Sequence, residues 1–149
     1  EMVNMEPCVC NMFLFTQEKS MSCFWNSILR SIQEKEKEKL GCTNSSPDQL
    51  VQALKQVVAA SIFKPTPLQV NDMPITEQQW REIVEAIGCI TRERIFDGYD
   101  VSACEPVLCV LSVVLGWKIT HNYAGHVIQY TPPTPQREVH FSSSQSHFN

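Results

Sequence analysis

A cysteine becomes a strong nucleophile near neutral pH once its thiol is ionised, and seven cysteines are spread along this chain. Cys23 differs from the others in its setting. It heads the stretch SMSCFWNSILRSIQ, residues 20 to 33, where Phe24, Trp25, Ile28, Leu29 and Ile32 recur with the spacing of a helix that buries one face. In the first turn of such a helix a thiol meets unpaired backbone N–H groups and the positive end of the helix dipole, which favour the thiolate. A packing role is the alternative, because a free cysteine is commonly a small buried hydrophobe.

A nucleophilic thiol also needs an imidazole to take its proton and a third group to hold that ring in one orientation. Four histidines are available. The sequence places His121 in a turn and His126 at the start of a strand, while His140 alternates with Val139 and Phe141 and faces either side of a sheet. His147 differs in having Asn149 two residues on, in the closing segment SSSQSHFN. Residues i and i+2 of an extended segment point the same way, so the Asn149 amide oxygen is placed to accept the Nδ1–H of His147, leaving Nε2 for a sulfur. The alternative reading is an inert polar tail.

The elements that must position these groups follow from periodicity and punctuation. After the Cys23 helix, the alternating charges of QEKEKEKLGC read as its solvated continuation, stopping at Gly41. SSPDQLVQALKQVVAASI predicts a second helix, with Ser46 as N-cap, Pro47 in the first turn and Leu50, Leu54, Val57 and Val58 on one face. KPTPLQVNDMP, with three prolines, reads as a loop. TEQQWREIVEAIG opens on a Thr76/Gln79 capping box, buries Trp80, Ile83, Val84 and Ile87, and closes at Gly88. CITRERIFDGYD is ambiguous, with a turn from Asp97 to Tyr99. ACEPVLCVLSVVLG predicts a buried helix beginning near Pro106 and ending at Gly116. WKITHNY, GHVIQYT and EVHFS are short β-branched or aromatic segments, the last two separated by the proline-rich loop TPPTPQ. Helices first and strands last predict an α+β fold, with helices packed on a small, mainly antiparallel sheet fed by the carboxyl end.

Composition bounds the function. A chain of 149 residues suits one domain, 1–149, able to bury roughly two thirds of its unfolded surface. The longest apolar stretch, VLCVLSVVLG, falls short of the roughly 18 residues that span a bilayer, so no membrane role is expected. Net charge is −4 and the pI about 5.5, which argues against nucleic acid as a partner. Seven cysteines at irregular spacing do not form a disulfide framework, and no secretory signal opens the chain, so a reducing, cytoplasmic compartment is expected. The start at Glu1 reads as a domain cut from a longer protein. Cys8 and Cys10 lack the usual C-x₂-C spacing of a metal site and no second pair is visible, so no metal or other cofactor is expected.

A cysteine at a helix head near the start and a histidine beyond a strand near the finish resemble the ovarian-tumour (OTU) cysteine proteases, which are deubiquitinases. Their nucleophile motif is Asp-Gly-Asn-Cys, then two bulky residues, and after them a small and an aliphatic one. CFWNSI is similar from the cysteine onward, through Phe24, Trp25, Ser27 and Ile28. GYDVSACEPVLCVLSVVLGWKIT resembles the family's turn, helix with early glutamate and strand, Glu105 standing at the glutamate. HFN matches its closing His-aromatic-Asp/Asn. The resemblance covers most of the chain by order of elements, and about ten residues carry it specifically. It departs at Ser20, Met21 and Ser22, which replace Asp-Gly-Asn, and residues 41 to 98 carry no family motif.

The resemblance implies an OTU-like fold and hydrolysis of the isopeptide or peptide bond after the terminal glycine of ubiquitin or a ubiquitin-like modifier. It implies Cys23 as nucleophile, His147 as base, Asn149 as its orienter, and an oxyanion hole of backbone N–H groups from Ser20, Met21, Ser22 and Cys23. Acidic groups facing the two arginines of ubiquitin's tail are expected, with Asp97, Asp100 and Glu105 as candidates. The departure at residues 20 to 22 fits a divergent member, a viral or bacterial effector acting as a monomer in host cytosol. An OTU fold that binds ubiquitin without cleaving it is the competing expectation.

Overall fold

A computed structural model of the chain describes residues 23–41, 46–60, 67–91 and 101–143. Five helices occur among them. Helix α1 runs Cys23–Ser31, α2 Glu34–Leu40, α3 Pro47–Ala59, α4 Glu77–Gly88 and α5 Val101–Leu115. The five strands are β1 (Gln69–Val70), β2 (Met73–Pro74), β3 (Trp117–Tyr123), β4 (His126–Thr131) and β5 (Arg137–Ser143). This is an α+β fold, and its sheet has the order β2-β1-β4-β3-β5. All neighbouring pairs are antiparallel except β3 and β5, which run parallel in the register Trp117 to Arg137 through Tyr123 to Ser143.

The local signals that start helices act as expected. The Ser46 hydroxyl accepts the Gln49 N–H at 3.2 Å, and Thr76 and Gln79 form a reciprocal box at 3.1 and 2.7 Å. Leu50 and Leu54 of α3 and Trp80, Ile83 and Ile87 of α4 are buried, while Val57, Val58 and Val84 are half-buried at the margin. Helical and strand residues share one apolar core, in which Ile28, Leu108, Leu111, Trp117 and Tyr130 are fully buried.

Four expectations are corrected. The charge run does not extend α1. Gln33 leaves helical geometry at φ −88°, ψ 161°, and its N–H donates to Glu36 Oε1 at 2.8 Å, starting α2 as a separate helix that ends at left-handed Gly41. The segment read as a loop contains the β1–β2 hairpin. Asn71 and Asp72 take positive φ of 51° and 65°, the pattern of a two-residue primed turn. The Asn71 side chain and backbone both bond the backbone of Gln129 in β4, at 2.8 Å each. Pro106 lies inside α5, not at its start. A mid-helix proline costs about 3 kcal/mol. Burial of Val107, Leu108, Val110, Leu111 and Leu115 outweighs that local preference. Finally, His121 lies within β3 and is buried, because strand alternation puts it on the face of Trp117 and Ile119.

No helix of the described residues is long and apolar enough to cross a membrane.

Candidate active site

Cys23 is the first residue of α1, so its backbone stands at the N-terminal end of a nine-residue helix. The next two residues anchor that end, since Phe24 and Trp25 are buried and meet edge to face with ring centroids 5.0 Å apart. Ser27 and Ile28 are buried one turn on. The helix is thus held from its first turn by the bulky, bulky, small and aliphatic positions that follow the cysteine.

The far end of α1 is tied to β5. Arg137, the first residue of β5, donates from Nη2 to the Ser31 carbonyl. The same guanidinium grips Glu36 of α2 bidentately, Nε to Oε2 at 3.0 Å and Nη2 to Oε1 at 2.9 Å, and stacks 5.0 Å over the Trp117 ring. Trp117 in β3 completes the cluster by donating its indole N–H to Glu36 Oε2 at 2.8 Å. Burial pushes the Glu36 carboxyl up, but Arg137, the Gln33 N–H and the Trp117 N–H outweigh it and hold the group below its ordinary range. An element that composition marks as solvated surface therefore carries a charge-paired carboxylate that is 3% exposed.

The other end of β5 is fastened too. The His121 imidazole, 3% exposed, has its Nε2 at 2.6 Å from the Ser143 hydroxyl, and the Ser143 carbonyl accepts the Ala124 N–H at 2.9 Å. Burial lowers the His121 pKa, so the ring is neutral at neutral pH. His121 and Tyr123 meet edge to face at 6.3 Å.

Of the residues expected to do chemistry, the Cys23 backbone and Glu105 fall within the described residues. Ser20, Met21, Ser22, Asp97, Asp100, His147 and Asn149 lie outside them. Glu105 is exposed in the second turn of α5 and lines a groove of about 540 Å³ with Glu82 and Gln79 of α4, over a floor that includes Val70, Ile83, Pro106 and Cys109. Among the described residues, those that line the groove come from β1, α4, α5 and the segment before α4.

The remaining described groups are poorly placed for nucleophilic work. Cys109 is buried, and burial together with the nearby Glu105 carboxylate pushes its thiol up to about 12. His126 is exposed, and His140 is exposed with Nε2 3.9 Å from Glu138. No group of three or more His, Cys, Asp or Glu side chains among the described residues is arranged to hold a metal ion.

Sequence reasoning missed the two fastenings of β5. Glu36 gave no signal inside an alternating charge run, and its partners stand 81 and 101 residues away. The His121 and Ser143 pairing had a signal that went unused: WKITHNY and EVHFSS place His121 beside Phe141 and Ser143 once the two strands are laid parallel. Compared with protein-family models, with curated proteins and with solved structures, the chain matches none.

Proposed function

We propose that this chain is an OTU-like cysteine protease that hydrolyses the bond after the C-terminal glycine of ubiquitin or a ubiquitin-like modifier. The Cys23 thiolate attacks the scissile carbonyl carbon, and the resulting oxyanion is held by backbone N–H groups of residues 20 to 23. His147, oriented by Asn149, takes the thiol proton and returns it to the departing amine. Water, deprotonated by His147, then cleaves the thioester and regenerates the thiol. Asp97, Asp100 and Glu105 are the acidic candidates for the tail's arginines, no cofactor takes part, and the setting is a reducing cytosol, that of a host cell if the parent protein is an effector.

One observation carries the reading. The helix headed by Cys23 is bonded through Ser31 and Arg137 to the strand whose last residue, Ser143, precedes His147 by four positions. The bond runs between the last residue of α1 and the first of β5, so it ties the helix that Cys23 heads to the strand that precedes His147 in the sequence, which supports the reading. A ubiquitin-binding module is the second reading, favoured by Ser20, Met21 and Ser22 in place of Asp-Gly-Asn.

The test is cleavage of ubiquitin chains by the parent and by Cys23→Ala. The variant should stay folded and lose cleavage entirely. His147→Ala should then lower kcat/KM more than Asn149→Ala, because an imidazole without its orienter still samples the productive geometry. Chain cleavage by folded Cys23→Ala would remove the proposal.

A further inference from the structure

The groove of about 540 Å³ between α4 and α5 is large enough to take several side chains of a ligand. Its floor is apolar, with Val70, Ile75, Ile83 and Pro106 along it. The β1–β2 hairpin extends that floor outward. Val70 pairs with Met73 across the two strands, and cross-strand partners project from the same face of a sheet, so Met73 continues the face of Val70 beyond the groove. The Met73 side chain is 69% exposed, and it enlarges the apolar surface that a ligand can cover.

The polar groups around this floor are one-sided. Glu82 stands on the α4 wall and Glu105 on the α5 wall, both exposed, and no lysine or arginine among the described residues lines the groove. Glu82 receives the Gln78 amide at a long 3.4 Å, and Gln79 is engaged in the Thr76 capping box. The backbone adds a further acceptor. Pro106 has no N–H to give the Ser102 carbonyl one turn earlier, which leaves that oxygen without its helical donor on the wall that Pro106 lines. Carboxylates on both walls and such a carbonyl call for donors, and the floor between them calls for hydrocarbon. A small cation meets only the first need and a plain apolar ligand only the second. A peptide with cationic side chains flanking apolar ones meets both.

We propose that this groove, with Met73 as its outer lip, docks a basic, apolar segment of a partner protein. Arginine or lysine side chains of the segment reach Glu82 and Glu105, while the apolar side chains between them lie on Val70, Ile75, Ile83 and Pro106. The apolar surface runs past the cavity to Met73, which favours a chain over a compact ligand. The site asks nothing of Cys23 or His147, and it stands whether or not the chain is a protease.

The probe is a fluorescein-labelled peptide, Gly-Arg-Ile-Phe-Arg-Gly, titrated with the full chain and followed by fluorescence anisotropy. One counterpart carries two serines in place of Ile-Phe, and another carries glutamates in place of both arginines. The parent should bind the first peptide at least about 10-fold tighter than the serine counterpart, because only the first buries hydrocarbon on the floor, and should not bind the glutamate one. Glu82→Gln/Glu105→Gln should weaken binding about 5- to 20-fold, and Met73→Ser about 3-fold. These side chains are exposed, so both variants should unfold in urea as the parent does. Glu34→Gln/Glu38→Gln removes the same charge from exposed positions that do not line the groove, and should change the affinity less than about 2-fold. The Met73 methyl signal should move as the first peptide is added.

Equal affinity for the first peptide and its serine counterpart would reduce the effect to attraction by a chain of net charge −4, and overturn the proposal. So would equal weakening by the two glutamine pairs. Absence of binding by the parent overturns it too, as does a concentration-dependent dimer that shifts the Met73 methyl signal and excludes the peptide, since a second copy would then be the occupant.

Discussion

Glu36 and His121 are each 3% exposed, although their side chains can carry a full charge. The Glu36 carboxylate accepts from the Gln33 N–H, the Trp117 indole and two of the three guanidinium nitrogens of Arg137, Nε and Nη2. Replacing it by glutamine leaves a partly buried guanidinium without its counter-charge, a change that costs about 3 kcal/mol where buried pairs are broken on one side. Urea unfolding should show that loss for Glu36→Gln and less than about 0.5 kcal/mol for Glu34→Gln, whose side chain is 91% exposed. The pH dependence follows from the same two groups. Burial lowers the His121 pKa below the ordinary 6.5, so the unfolded chain binds the proton more tightly than the folded one. Stability from this group is therefore full above 6.5 and falls as the pH drops below it. Glu36 acts in a lower window: its stabilisation is present above the ordinary 4.5 and is lost as the pH falls through its depressed folded value. Urea unfolding between about pH 7.5 and 5.5 should show a downward slope with acid that His121→Gln flattens; an equal slope in that variant would assign it to other groups.

Elements were legible in the sequence where their causes are local. Ser46 bonds three residues ahead, Thr76 and Gln79 bond each other, and these pairs stand side by side in the sequence. β3, β4 and β5 announced themselves by β-branched and aromatic runs between turn residues. Elements whose causes are distant were not legible. β1 has two residues and acquires its place from β4, with Asn71 reaching Gln129 across 58 positions. The break between α1 and α2 depends on a glutamate satisfied by β3 and β5, and Pro106 stays within α5 because the core surrounds that helix. The join between α5 and β3 gives the element-scale prediction. Gly116 has a φ of +70°, and a Cβ there would lie 2.5 Å from Gln136 Cγ and 3.2 Å from the Thr134 carbonyl. Gly41 has the same φ with open space around it, so the two glycines separate backbone strain from collision. Gly41→Ala should cost about 1 kcal/mol, and Gly116→Ala more than that, because the loop before Arg137 must also move. Equal losses on denaturant unfolding would mean that the loop yields freely.

Across the whole molecule, the parts of the candidate site that were legible were its residue types and their order: a cysteine at a helix head, then a helix-strand succession, then His-Phe-Asn. Two bonded clusters, at Arg137 and at Ser143, fasten the two ends of β5, and neither is written in any short motif. The reading can be tested at the one atom on which it depends. The parent chain is incubated with ubiquitin carrying a carboxyl-terminal electrophile, which sets its warhead where the scissile carbonyl would lie. Cys109 is buried with its thiol pushed up to about 12, and Cys89 is exposed but belongs to the cap of α4, so rapid capture at either would have no catalytic rationale. Peptide mass mapping should find a single adduct at Cys23, lost in His147→Ala. No adduct in a chain that binds ubiquitin, or a label mainly on another cysteine, would contradict the assignment of Cys23 as the nucleophile.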